Sequence, residues 1–113
     1  MHELSYVINF INIAEQELPS DAVPQTLEVT VGEMTGVMPE FLHKYYPDAV
    51  KGTRLEGSDL KVNLVPVTAN CLSCGKDYHP GKENGYSCPH CGSKEAKLLR
   101  GRECEVTRVN YVI

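Results

Sequence analysis

The chain has 113 residues, of which 42% are hydrophobic, enough for one compact core of about 80 residues plus one small satellite. Its net charge is −4, with five Lys and Arg against three acids over residues 69–100 and six against twelve elsewhere. The basic stripe usual in a nucleic-acid binder is not visible, and a metal or a basic protein is a better-matched partner.

In chain order, Leu4, Val7, Ile8, Ile11, Ala14 and Leu18 recur at three- and four-residue intervals. They predict an amphipathic helix from Glu3 to Leu18, ended by Pro19-Ser20-Asp21. Thr26 to Val31 alternates strictly and reads as a half-buried strand closed by Gly32. Pro39 suits the first turn of a second helix carrying Phe41, Leu42, Tyr45 and Tyr46, with the two tyrosines at core and rim. Pro47 removes the bond to the His43 carbonyl, so a kink or restart is expected there. Leu60, Val62 and Leu64 predict a second strand running into the cysteine segment. Glu103 to Ile113 is rich in β-formers. Its apolar parity shifts between Cys104/Val106 and Val109/Tyr111/Ile113, which predicts a bulge. No apolar run approaches the ~20 residues of a membrane helix, and the start lacks the early cations of a secretory signal.

Cys71, Cys74, Cys88 and Cys91 form two C-x2-C pairs separated by thirteen residues. Each pair sets two thiolates on neighbouring corners of a tetrahedron, and two pairs close the four-sulfur shell that Zn²⁺ accepts. Gly75 and Gly92 follow the pairs and let the chain fold back towards the sulfurs. A closed shell leaves no position for substrate, so the zinc is expected to be structural and to fold residues 70–99. A rubredoxin-like iron centre is the alternative, distinguished by its red colour. Cysteines at metal spacing, with an odd fifth at Cys104, suit a reducing cytosol. Cys104 is expected to be a small buried residue of the last strand.

The amino terminus reads Met1-His2-Glu3. The Met1 α-amine, backbone nitrogens and the His2 imidazole can close fused chelate rings on Ni²⁺ or Cu²⁺, with Glu3 adding a carboxylate or its amide nitrogen. Taken alone, a histidine at position 2 is more often a solvated terminus. His79 and His90, inside the cysteine segment, read as solvated loop residues or as imidazoles tuning the metal site with pH. His43 reads as exposed, and Glu33 and Glu40 as solvated flanks of the GEMTGVMP turn, the alternative being that one approaches the nickel or a partner.

MHELS, VGEMTGVMPEFL, KGTRLEGSDL, the CLSCG and CPHCGS pair, and GRECEVTRV run in order through the whole chain. Together they resemble the HypA family of nickel-incorporation proteins in [NiFe]-hydrogenase maturation. The resemblance implies an α/β nickel-binding domain with an inserted zinc domain. It also implies His2 as essential nickel ligand, Glu3 as its helper and the four cysteines as zinc ligands. Delivery would go to the hydrogenase large-subunit precursor with a HypB-type GTPase, and in some organisms to urease.

The fold expected is α+β: a small three-stranded sheet with two helices plus an inserted four-cysteine zinc-ribbon module. Residues 1–69 and 100–113 would form the nickel-binding domain, and residues 70–99 the zinc module. The function expected is a cytoplasmic, non-enzymatic nickel carrier, monomeric or weakly dimeric. No P-loop or nucleophile–base arrangement appears, so GTP would be hydrolysed by the partner. A zinc-ribbon nucleic-acid-binding or interaction module is the competing reading.

Overall fold

The computed structural model describes the backbone of residues 2–113 and the side chains of residues 3–113. Helix α1 (His2–Glu17) is followed by strand β1 (Val23–Gly32), a 3-10 turn (Glu33–Thr35), helix α2 (Pro39–Ala49) and strand β2 (Asp59–Val65). Then come β3 (Thr68–Cys71), β4 (Asp77–Tyr78), a second 3-10 turn (Lys82–Asn84), β5 (Ala96–Arg100) and β6 (Cys104–Val112). Among the described residues these strands make two three-stranded sheets, ordered β2-β1-β6 and β4-β3-β5. The α+β architecture read from the sequence is therefore the one found, with the cysteine-bearing sheet interrupting the chain between β2 and β6.

In the first sheet β1 is central, parallel to β2 and antiparallel to β6. A parallel neighbour needs a crossover, and α2 supplies it. Leu27, Val29 and Val31 point one way and are fully buried against Val7, Phe10, Ile11 and Ala14 of α1 and Leu42 and Tyr46 of α2. The opposite face is polar: the Glu28 carboxylate accepts from Asn63 Nδ2 at 2.8 Å, and Thr30 bonds Thr107. β6 steps out of register between Val106 and Arg108, so the bulge predicted from the parity shift is present.

Four expectations need correction. Phe10, not Ile8, completes the buried stripe of α1, and Ile8 is about half exposed; the i, i+3, i+4 spacing allowed either beside Val7 and Ile11. Leu64 is exposed near the end of β2, the other edge strand of the sheet. α2 runs through Pro47 to Ala49 without restarting, because Pro47 sits in the last turn and its lost bond falls on the exposed His43 side. Cys104 is exposed rather than buried, since it opens β6, an edge strand with no neighbour on its far side.

The KGTRLEGSDL segment has a structural task. Arg54 Nη1 donates to the Leu18 carbonyl at 3.0 Å, Nη2 to the Pro19 carbonyl, and the Arg54 N–H to Glu15 Oε2 at 3.1 Å. A guanidinium thus closes the negative end of α1. Leu55 beside it is fully buried.

Candidate metal centre and amino-terminal site

β3 ends at Cys71, and the chain reverses at once: the Gly75 N–H donates to the Cys71 carbonyl at 2.8 Å, and the Cys71 N–H to the Lys76 carbonyl at 2.9 Å. Cys88 repeats the pattern, with the Gly92 N–H on its carbonyl and its own N–H on the Ser93 carbonyl, both at 2.8 Å. Gly75 and Gly92 take φ of +77° and +79°, the left-handed conformation that a β-carbon disfavours. The glycines are thus part of the ligand geometry rather than spacers.

The four Sγ atoms lie within 4.8 Å of one another, with Cys71 and Cys91 3.5 Å apart and Cys74 and Cys88 3.6 Å apart. A Zn–S bond of about 2.3 Å implies a tetrahedral edge of about 3.8 Å, so the quartet fits a tetrahedrally bound ion. Backbone donors already favour thiolate. The Cys74 N–H, then the Ser73 N–H, pulls the Cys71 thiol down to about 6 against the opposing effect of burial. For Cys91 the Ser93 N–H also pulls down, but Cys71, burial and the other two sulfurs outweigh it and push the thiol up to about 12. Four sulfurs this close cannot all ionise until a cation cancels their repulsion. Cys71 and Cys88 are buried with Ala69 and Tyr78 in a small second core, while Cys74 and Cys91 face outwards. The His90 N–H donates to Cys88 Sγ at 3.4 Å, and its side chain is exposed.

At the other end of the chain, Met1 lies outside the described residues, as does the side chain of His2. The backbone of α1 begins at His2. Glu3 Oε2 accepts from the Met38 N–H at 3.4 Å. Glu3, Tyr6, Thr35, Gly36 and Val37 line a cavity of about 260 Å³, so the GEMTGV segment forms the wall facing the first turn of α1. A larger cleft of about 640 Å³, between α2 and β2 and lined in part by His43, Lys51 and Asp59, has none of the expected ligands among its described lining residues.

The contacts of Glu33 are not legible in any local pattern. It is exposed, as expected, but its Oε1 also accepts from the Val67 N–H at 2.8 Å and pairs with His79 Nε2 at 2.9 Å. The Val67 N–H, then His79, holds its carboxyl below the usual carboxylate range. Both partners lie more than thirty residues away in sequence, where no periodicity reaches.

A family model described as hydrogenase/urease nickel incorporation, metallochaperone, hypA matches residues 1–111. The chain belongs to the HypA family. The hydrogenase maturation factor HypA of Streptomyces avermitilis is 35% identical over 98% of this chain and 87% of its own length. That of Acidithiobacillus ferrooxidans is 32% identical over 96% and 97%. The solution structure of the Ni metallochaperone HypA from Helicobacter pylori superposes with a TM-score of 0.63 over 97% of both chains at 18% identity, a likeness of fold. The four-cysteine cluster and the wall around Glu3 are thus features of a HypA-family chain concerned with nickel incorporation in hydrogenase maturation.

Proposed function

We infer that this HypA-family chain is a non-enzymatic carrier that takes Ni²⁺ as cargo on its amino terminus. It delivers the ion in the cytoplasm to the large-subunit precursor of a [NiFe]-hydrogenase, with a HypB-type GTPase supplying the energy. His2 provides the imidazole, the Met1 amine and backbone nitrogens complete the chelate, and Glu3 assists. The observation that carries this reading is the match of residues 1–111 to a family model described as a nickel-incorporation metallochaperone. Helix α1 starts at His2. The first four N–H groups of a helix have no intrahelical carbonyl, so the amide nitrogens of His2 and Glu3 can turn to a metal without breaking a helical bond. Imidazole, amine and amide nitrogen suit Ni²⁺, and the absence of a thiolate from this ligand set leaves the ion releasable.

Cys71, Cys74, Cys88 and Cys91 hold a resident Zn²⁺ that supplies folding energy to residues 70–99 and does no chemistry on substrate. Residues 1–69 and 100–113 then form the nickel-carrying domain. The test is a calorimetric Ni²⁺ titration of tag-free, zinc-loaded protein beside His2→Ala. One nickel per chain, lost in the variant with zinc content unchanged, is the expected result; equal nickel affinity in both overturns the assignment. A peptide tag ahead of Met1 converts the amine to an amide and is expected to weaken binding as well.

A further inference from the structure

Two stretches of chain connect the sheets, one leaving β2 through Val67 and one returning through Gly101 to Glu103. Both pass against the three residues Gly32-Glu33-Met34. The Gly32 N–H donates to the Glu103 carbonyl at 2.6 Å, and the Met34 N–H to the Gly101 carbonyl at 2.8 Å, which holds the returning stretch. The Glu33 carboxylate takes the Val67 N–H of the outgoing stretch and, with the same oxygen, the imidazole of His79 in the cysteine-bearing sheet. The fit is tight: a β-carbon on Gly32 would lie 2.1 Å from the Gly101 carbonyl, and one on Gly101 would lie 2.8 Å from the Val67 side chain.

We propose that Glu33 is the positioning residue of this clamp, setting how the cysteine-bearing sheet is carried relative to the amino-terminal site. The role of that site in nickel transfer rests on the function inferred above. The clamp leads to the site through a short hydrogen-bonded path. Thr35 Oγ1 donates to the Gly32 carbonyl at 2.7 Å and accepts from the Val37 N–H at 3.1 Å. The Met38 N–H, next along the chain, reaches Glu3. Glu33 and His79 are each about half exposed, so the pair biases the clamped state only by roughly two- to fivefold. A bias of that size lets the junction open and close during transfer, which a buried ion pair would not.

The test is amide hydrogen exchange and ¹⁵N chemical shifts on the zinc-loaded full chain, comparing wild type with Glu33→Ala, Glu33→Gln and His79→Ala. Glu33→Ala is expected to speed exchange at Gly32 and Met34 several-fold, with the amide of core residue Val29 unchanged as control for global stability. Glutamine keeps an acceptor for both donors, so Glu33→Gln is expected to restore most of the protection. His79→Ala is expected to shift the Val37 and Met38 resonances. Unchanged exchange in Glu33→Ala, or a Glu33→Gln variant as open as the alanine, overturns the clamp. Silent Val37 and Met38 resonances overturn its link to the amino terminus. Neither readout uses nickel, so a failed clamp is distinguishable from the failure of the nickel assignment that the His2→Ala titration would reveal.

Discussion

Tyr46 carries its hydroxyl into the core and meets Ser58 there at 2.6 Å. The single Ser58 proton goes to the Leu55 carbonyl, so Tyr46 is the donor of the pair. Tyr46→Phe removes one bond and leaves Ser58 satisfied, at a cost of about 1 kcal/mol. Ser58→Ala strands the phenol, while the Leu55 carbonyl keeps the backbone N–H of residue 58 at 3.0 Å. The substitution is expected to cost about 1–3 kcal/mol, the larger loss in urea unfolding. Burial raises the Tyr46 pKa above 10.0 despite the Ser58 bond. The stability this contributes is complete below the unfolded value of 10.0 and is lost as pH rises through the folded one. Between pH 9 and 11 the wild type should lose stability faster than Tyr46→Phe; parallel profiles would show that the phenol is not protected. The sign is opposite for Glu33, whose lowered pKa gives stability above 4.5 that disappears as pH falls through its folded value.

The two metal knuckles make a prediction at the scale of the element. Gly75→Ala and Gly92→Ala each force a β-carbon into the left-handed region, at about 1–2 kcal/mol apiece. The expected outcome is weaker metal retention against a chelator, with the melting of α1 and α2 little changed. Arg54→Ala should act the other way, fraying the end of α1 by about 1 kcal/mol without altering metal content. Circular dichroism beside metal analysis separates the two. What was legible in the sequence follows the same division. Helices, strands, the β6 bulge and the cysteine shell are written in periods and spacings, because side-chain direction repeats along an element. Phe10 in place of Ile8 and the exposure of Cys104 depend on neighbouring elements, and the persistence of α2 through Pro47 on where the helix itself ends. The Glu33 contacts with Val67 and His79, and the approach of Glu3 to Met38, are set by tertiary placement, which local pattern does not encode.

Across the whole molecule, β6 can join β1 only after the chain has made its excursion through the cysteine-bearing sheet. Stripping the metal should therefore reach further than the residues that bind it. A chelator is expected to release the Cys71–Cys91 region while α1 and α2 keep their circular dichroism. Full loss of helix on chelation would mean that the two cores fold as one unit.

The position of β6 has one more consequence. The two ends of residues 66–103 lie together at Val67 and Gly101, and a bound ion would fix the structure between them. Without it, the same stretch would be a flexible loop that β1 and β6 must close for themselves. Treating the loaded segment as an effective loop of about eight residues, and the empty one as its full length, puts the difference in closure entropy at about 1.4 kcal/mol. The ion would thus quicken and strengthen the pairing of two strands that contribute none of its ligands, and a chain still awaiting its metal would be slow to finish the sheet on which α1 rests.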